Sequence, residues 1–389
     1  MHYFIKADRF ILENHIAEAG YLSVENGRFG HLTKTVPDSA EVIDWSGYMI
    51  APGLVDTHIH GINGYDIMDG TKEAVRHISG ALLTLGVTRF LPTTLTSSRS
   101  DLDKAIQAVT EAVEEGLPGA LSEGIYLEGP FFTEAYKGAQ NPKYFQDPDI
   151  GLFEKWQSLA KGNIVKIALA PEREYAMEFI KTMDDKGVLV SIGHTNASYG
   201  CCQEAIAAGA QNFVHLFNGM SGLHHRNPGV AGAALTDTNV YAELICDGYH
   251  VHPDVATLAL KVKNEKLMLI TDCMRAGMMP DGHYHLGEFP VVMQNGVART
   301  EEGSLAGSTL RLIDGVKNLH NWSDQALFDI WHLASLTPAK SLGRAEEIGS
   351  IHPGKLADYV VLDDELSVQA TAINGNIKYR KMTTGNEEE

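Results

Sequence analysis

Two histidines follow an apolar run near the start of the chain and could bind a metal ion. His58 and His60 lie in the segment Pro52–Gly61, with one residue between them. Side chains in a strand alternate between its faces, so these two imidazoles are expected to point the same way. Imidazole binds zinc, iron and similar ions, although an isolated pair of histidines near a turn is more often a surface feature. The pair alone leaves both interpretations open.

Later apolar runs end in further side chains that could bind a metal ion, namely Glu128, His194, His215 and Asp272. Taken singly, His194 and His215 could be hydrogen-bonded core histidines. A carboxylate in an apolar strand, by contrast, is seldom buried without a partner. Four imidazoles and two carboxylates at matching strand positions together predict a site for one or two divalent metal ions.

Eight apolar runs, separated mostly by helical segments, would position these groups. The runs are residues 54–60, 88–94, 124–130, 166–172, 188–194, 212–218, 241–250 and 267–272. Apolar strands alternating with helices imply a parallel sheet covered on both faces. Residues 51–349 are therefore predicted to form a TIM-like (β/α)₈ barrel, whose active site lies at the carboxyl ends of its strands. A doubly wound open sheet is the alternative, and no G-x-G-x-x-G motif supports a nicotinamide site.

Short β-like runs occupy both ends of the chain. Residues 1–50 contain several of them, with an Asn26-Gly27 hairpin signal between two, and residues 350–382 continue in the same style. This pattern predicts a small β-sandwich domain built from both termini. The polar segment 383–389 is expected to be disordered.

Composition limits the classes of partner. With 31 basic and 50 acidic residues the net charge is −19, which argues against nucleic acid or an anionic membrane. Residues 1–13 lack the apolar core of a signal peptide, and no apolar run approaches the length of a membrane span. The four cysteines form no C-x-x-C pair and are expected to be reduced thiols. A cytoplasmic protein acting on a small molecule is predicted.

The order of the motifs resembles the amidohydrolase superfamily, and within it the N-acetylglucosamine-6-phosphate deacetylases. The resemblance covers roughly residues 45–365. It is carried by residues 51–56, 128–131, 137–139, 193–195, 215–220, 247–250, 271–272 and 305–308. Many members of the superfamily have a carboxylated lysine where this chain has Glu128. Glutamate there is similar to the sugar-phosphate deacetylases and points away from dihydroorotase- or urease-like enzymes.

This resemblance implies a role for each matching residue. Glu128, His194 and His215 would bind the main metal ion, and His58 and His60 a second one. Asp272 would be the general base and acid. The substrate would be bound by Ala139, Gln140, Asn218, Gly219, Arg226, His250 and Leu305. Zinc or iron(II) is the expected metal, with cobalt or manganese also compatible with these ligands. A homodimer is implied, in which Arg226 and His250 reach the neighbouring site.

Gln140 departs from the family pattern, because several members have a histidine at this position. A neutral glutamine can donate a hydrogen bond but supplies no positive charge. Our hypothesis is that a second metal ion, bound by His58 and His60, takes over part of the polarisation of the amide carbonyl. In that case the loss of Gln140 should be mild and the loss of His60 severe. Cys273, directly after Asp272, is expected to be a small buried residue.

The implied activity is hydrolysis of the acetamide of N-acetylglucosamine 6-phosphate to glucosamine 6-phosphate and acetate, in amino-sugar catabolism or cell-wall recycling. Arg226, in the basic segment 223–229, would anchor the phosphate, although a solvated loop explains that segment equally well. Three alternatives stay open. They are an N-acetylgalactosamine-6-phosphate deacetylase, a catalytically silent binding protein on the same fold, and a cyclic-amide hydrolase. Glu128 and Arg226 disfavour the last of these.

Overall fold

The computed structural model describes residues 2–382 of the 389-residue chain. The segment 383–389, for which the sequence predicts disorder, lies outside the described residues. The strands β1 to β21 are, in chain order, His2–Ile11, Ile16–Glu25, Arg28–Thr33, Val42–Pro52, Leu54–Ile59, Gly61–Ile62, Tyr65–Asp66, Val87–Thr94, Leu121–Ser122, Ile125–Phe131, Ile164–Leu169, Leu189–Ile192, Ala210–Phe213, Tyr241–Ile245, Leu267–Ile270, Gly282–Leu286, Phe289–Gln294, Val297–Thr300, Tyr359–Leu362, Val368–Ile373 and Asn376–Arg380.

The helices α1 to α10 are Lys72–Thr84, Arg99–Glu115, Ile150–Leu159, Ala176–Asp185, Tyr199–Ala207, Gly229–Thr236, Pro253–Lys263, Leu312–Trp322, Leu327–His332 and Leu336–Ser341. Short 3₁₀ helices occupy Ile67–Asp69, Glu134–Tyr136, Pro142–Tyr144 and Asn264–Lys266. Within residues 2–382, no helix has the length and apolar character needed to cross a membrane.

Eight parallel strands form the barrel, in the order β5-β8-β10-β11-β12-β13-β14-β15. Each of the eight predicted apolar runs overlaps one of these strands. The first and last strands meet at their carboxyl ends, where Ile59 and Cys273 form a parallel bridge and the backbone N–H of His60 donates to the Cys273 carbonyl at 2.9 Å. The predicted (β/α)₈ barrel is therefore confirmed.

The helices pack on the barrel because each carries an apolar stripe and a defined start. In α2, the buried residues Leu102, Ala105, Ile106 and Val109 follow the i, i+3, i+4, i+7 spacing of one helix face. The helix begins where the Ser98 side chain accepts a hydrogen bond from the backbone N–H of its third residue. The local sequence thus determines where the helix begins and which face it buries.

Both termini build one further sheet of seven strands, in the order β21-β20-β19-β4-β1-β2-β3. Two of its hairpins turn at Asn-Gly pairs, Asn26-Gly27 and Asn374-Gly375, all four residues of which have positive φ. Arg89 of the barrel strand β8 joins this part of the chain to the barrel. Its guanidinium donates to Asp358 at 2.7 Å, in a buried ion pair, and to Oδ1 of Asn374 at 3.1 Å. The prediction of a β unit made from both termini is confirmed.

A three-stranded antiparallel sheet, β16-β17-β18, follows the last barrel strand and was not predicted. Its strands alternate buried and exposed residues in the way of a half-covered sheet. The turn before β18 is again an Asn-Gly pair, Asn295-Gly296, so a local signal for this hairpin was present. The sheet matters for function because Leu286 of β16 lies in the wall of the cavity described below.

His332, at the end of α9, is expected to make stability depend on pH. Burial lowers the pKa of its imidazole to about 4, against a partly opposing effect of Glu13, and its Nε2 has no hydrogen-bond partner among the described residues. As pH falls below 6.5, the unfolded chain takes up a proton that the folded protein does not, so stability decreases until pH reaches about 4. Between pH 7.5 and 5 this residue should lower the free energy of unfolding by at most about 2 kcal/mol.

The measurement is urea unfolding of the wild type and of His332→Leu at both pH values. The free energy of unfolding should fall less between pH 7.5 and 5 in the variant than in the wild type. Parallel losses in the two proteins would show that other groups carry the acid sensitivity.

Candidate metal centre and active site

The structure brings all six predicted strand-end groups together at one mouth of the barrel. They form two clusters, one of His58, His60 and Asp272 and the other of Glu128, His194 and His215. Within each cluster the candidate ligand atoms lie within 4.8 Å of one another. The grouping separates the same residues as the two ligand sets that the resemblance implies, with Asp272 beside the His58–His60 pair.

Glu128, in β10, is the centre of this arrangement. Its Oε1 lies 3.4 Å from Nε2 of His58, 3.3 Å from Nε2 of His194 and 3.4 Å from Nε2 of His215. Its Oε2 lies 3.3 Å from Nε2 of His60. All four imidazoles therefore direct the same nitrogen, Nε2, at one carboxylate.

The opposite nitrogen of three of these rings faces a backbone carbonyl oxygen at 2.9–3.2 Å. The Nδ1 atoms of His60, His194 and His215 face the carbonyls of Thr93, Tyr136 and Asn218, in that order. A carbonyl only accepts, so Nδ1 carries the proton in each neutral ring and Nε2 keeps its lone pair. Hydrogen bonds on Nδ1 that direct the Nε2 lone pairs at one point in this way are typical of a metal site.

The fourth ring supports the same conclusion. Nε2 of His58 is fully buried and has no hydrogen-bond partner within the described residues, which is costly for a polar atom unless an ion occupies the site. Nε2 of His194 and Nε2 of His215 are 3.2 Å apart, close to the roughly 3.4 Å expected for two nitrogen ligands on one tetrahedral zinc ion. These residues fit a divalent metal ion.

The carboxylates make the site strongly attractive to cations. Burial lowers the pKa of His58, but Glu128, Asp272 and Glu243 outweigh burial and raise it to about 9. Burial raises the pKa of Asp272, but the neighbouring rings of His58 and His60 outweigh burial and lower it. The contacts with these rings thus favour the ionised form of the Asp272 carboxylate.

Backbone strain marks the same strand ends. His194, His215 and Asp272 all have positive φ, at 46°, 28° and 50°, and non-glycine residues adopt this region only where surrounding contacts hold them. Beside them, Gly219 has φ 60°, and a Cβ there would lie 2.9 Å from Nδ1 of His194. Only glycine fits at that position without displacing the His194 ring.

A cavity of about 280 Å³ opens directly onto the metal-binding cluster. Six of the seven predicted substrate-binding residues line it, namely Ala139, Gln140, Asn218, Gly219, His250 and Leu305. The seventh, Arg226, is exposed and is not among the lining residues; its guanidinium contacts His225 at 2.7 Å. His250 lies in the wall of its own chain's cavity and bonds Asp247 through Nδ1 at 2.6 Å.

Comparison with known proteins identifies the family. Residues 49–384 match the Amidohydrolase family. The chain belongs to the amidohydrolase family. It is 41% identical over 349 residues to N-acetylglucosamine-6-phosphate deacetylase of Vibrio furnissii, covering 90% of this chain and 88% of that one. It is 38% identical to N-acetylgalactosamine-6-phosphate deacetylase of Escherichia coli O157:H7, covering 93% of this chain and 97% of that one.

A solved structure is similar over nearly the whole length. It is a mutant N-acetyl-D-glucosamine-6-phosphate deacetylase of Mycobacterium smegmatis in complex with N-acetyl-D-glucosamine 6-phosphate. The TM-score is 0.91 at 30% identity, with 97% of this chain and 99% of that chain covered. The predictions of an amidohydrolase fold and of a hydrolytic enzyme are confirmed.

Gln140 contacts a candidate metal ligand of this amidohydrolase, Glu128. Its Nε2 donates to Oε2 of Glu128 at 2.6 Å, and its Oε1 accepts from the backbone N–H of Thr96 at 3.0 Å. The amide that the sequence assigned to the substrate is therefore directed at Glu128. Gln140 lines the cavity, but its hydrogen bonds orient the Glu128 carboxylate.

Sequence reasoning missed two charged residues below the metal-binding cluster. Oε2 of Glu243, in β14, lies 3.0 Å from Nδ1 of His58. Glu243 also forms a buried ion pair with Lys166 of β11. A signal was present, since each is a charged residue within an apolar strand. Cys273, in contrast, is fully buried as expected, and burial raises the pKa of its thiol well above the ordinary value.

Proposed function

We propose that this amidohydrolase removes the acetyl group of N-acetylglucosamine 6-phosphate, giving glucosamine 6-phosphate and acetate. The observation that carries the proposal is the convergence of Glu128, four imidazoles and Asp272 at one mouth of the barrel, where all of them except the buried His58 line one cavity. The deacetylase relatives support this substrate. N-acetylgalactosamine 6-phosphate is the second candidate, since a relative at 38% identity bears that name. The product would enter amino-sugar catabolism or cell-wall recycling.

Two sets of residues would hold the metal. Glu128, His194 and His215 form the first, and His58 and His60 form the second, beside Asp272. A divalent ion bound there lowers the pKa of water and polarises a carbonyl group. Nitrogen and oxygen ligands suit zinc or iron(II) best, with cobalt or manganese also acceptable.

Asp272 is the proposed general base and acid. Its Oδ1 lies 3.2 Å from Nε2 of His60, and the residue is 9% exposed in the cavity wall. Two backbone hydrogen bonds fix it, from its own N–H to the His58 carbonyl at 2.9 Å and from the Ser308 N–H to its carbonyl at 2.7 Å. The carboxylate accepts the proton of the attacking water and delivers it to the departing amine nitrogen.

The remaining wall of the cavity would bind the sugar phosphate. Ala139, Asn218, Gly219 and Leu305 offer backbone and side-chain contacts close to the metal-binding residues. Arg226 is proposed to anchor the phosphate, since its planar guanidinium can bond two oxygens.

Arg226 does not line the cavity of its own chain. Its proposed contact with the phosphate would therefore be made in the neighbouring site of a homodimer. His250 was assigned the same role. It also lines its own cavity, so within a dimer it would lie near the boundary between the two chains. A cytoplasmic location is proposed because Cys201, Cys202, Cys246 and Cys273 are all unpaired.

The test combines elemental analysis of the purified protein with acetate release from both sugar phosphates, before and after chelation. We expect bound divalent metal, activity that chelation abolishes and added metal restores, and a higher kcat/KM for the gluco substrate. A higher kcat/KM for the galacto substrate would favour the second candidate. Bound metal without acetate release from either sugar would point to another amide. Protein without metal or activity would support the silent binding protein.

A further inference from the structure

A buried ion pair lies beneath the metal-binding cluster, inside the barrel. Lys166 projects from β11 and Glu243 from β14, and their side chains are 1% and 0% exposed. The Lys166 ammonium also lies over the ring of Tyr126, 4.1 Å from its centroid. Apolar side chains of similar size would fill this space without desolvating two charges. A role beyond packing is therefore indicated.

Glu243 connects this ion pair to the metal-binding residues. Its Oε1 contacts Lys166 and accepts from Nδ2 of Asn212 at 3.0 Å. Its Oε2 lies 3.0 Å from Nδ1 of His58 and 3.3 Å from the backbone nitrogen of His215. One carboxylate thus contacts a residue from each of the two metal-binding clusters.

His58 differs from the other three imidazoles in what its Nδ1 faces. Theirs face backbone carbonyls, whereas that of His58 faces a side-chain carboxylate. An ionised carboxylate only accepts, so it requires the proton on Nδ1 and leaves the lone pair on Nε2. Nε2 of His58 is the atom that lies 3.4 Å from Glu128 and 3.5 Å from Asp272.

We propose that Glu243 is a positioning residue for the metal centre. It sets the tautomer and ring orientation of His58, and Lys166 holds Glu243 in place. The inference rests on the proposed function, because it concerns the same centre. Lys166 has a second effect, since its charge balances that of Glu243 and leaves Glu128 and Asp272 as the uncompensated carboxylates facing the ions. Glu243 touches neither substrate nor metal in this role.

The first experiment measures zinc affinity and stoichiometry by competition with a chromophoric chelator. Lys166→Met combined with Glu243→Leu removes both charges and the acceptor, whereas Lys166→Met combined with Glu243→Gln removes both charges and keeps an acceptor oxygen. We expect the first double variant to bind one zinc ion about 10- to 100-fold more weakly than the wild type. The second should lose less than about tenfold, because its amide oxygen still accepts from Nδ1 of His58.

Arg89→Met is the matched control. It removes the buried guanidinium that contacts Asp358 and Glu123. This group of ion pairs includes barrel residues but has no contact with His58. Arg89→Met should lower the melting temperature without changing zinc affinity. Wild-type zinc affinity in both double variants, or equal losses in the two, would overturn the proposal. Wild-type affinity in both would mean that zinc binding needs no positioning of His58. Equal losses would mean that zinc affinity depends on the buried charges and not on the hydrogen bond to His58.

A second measurement uses the wild-type protein and does not depend on how the variants fold. In zinc-loaded protein labelled with ¹⁵N-histidine, the signals of His58 are assigned with His58→Asn. We expect the proton on Nδ1, and a proton on Nε2 would overturn the proposal. Wild-type protein that binds no zinc would instead contradict the proposed function itself. The two failures are thus distinguishable.

Discussion

Replacing Asp272 by asparagine is expected to lower kcat for acetate release by roughly 10²- to 10⁴-fold. The amide has nearly the same shape but cannot accept the proton of the attacking water. Since the Glu128 cluster does not include Asp272, the variant should keep at least one metal ion per chain, and KM should change little. Steady-state kinetics on N-acetylglucosamine 6-phosphate and elemental analysis of the same preparation are the measurements.

Asp103→Asn provides the matched control, because this aspartate lies in α2 and pairs with the exposed Lys155, outside the cavity. It should retain wild-type kinetics. A variant at Asp272 with kcat within a few-fold of the wild type and full metal content would remove Asp272 from its proposed role. The general base would then have to be sought among the other carboxylates of the site.

The barrel could be predicted because its signals are local and repeat. Each parallel strand is covered on both faces and is therefore largely apolar, and the chain must return through a helix before the next strand. The strand Leu267–Ile270 is one example, since it is fully buried and Asp272 lies two residues beyond its end. The β16–β18 sheet escaped the same reasoning because it interrupts the alternation of strand and helix only once.

The convergence of the six candidate ligands could be predicted for a related reason. Each of them lies within a barrel strand or within two residues of its end, and the barrel topology brings the carboxyl ends of the strands to one mouth. The supporting contacts depend on three-dimensional pairing instead. Lys166 and Glu243 lie 77 residues apart, and nothing in the local sequence shows that their side chains point inward toward each other and toward His58. The orientation of Gln140 toward Glu128 is likewise a property of loop geometry.

Replacing His60 by alanine is the second large expected effect. His60 belongs to the cluster with His58 and Asp272, and its Nε2 contacts both Glu128 and Asp272. Its removal should reduce metal content by up to one ion per chain and lower kcat by at least about 100-fold. The loss of a metal ligand is expected to lower activity more than the loss of a residue that only hydrogen-bonds a ligand. Metal content and kcat, measured together, test this expectation.

Gln140→Leu is the comparison that gives this result its meaning. The glutamine donates to Glu128 and accepts from the Thr96 N–H, so its loss should lower metal affinity about tenfold, as for a residue that hydrogen-bonds a metal ligand. With metal in excess, turnover should fall much less than in His60→Ala. Equal and severe losses in the two variants would contradict a polarising second ion. Gln140 would then take part in the chemistry itself, and one ion bound by Glu128, His194 and His215 would suffice for the reaction.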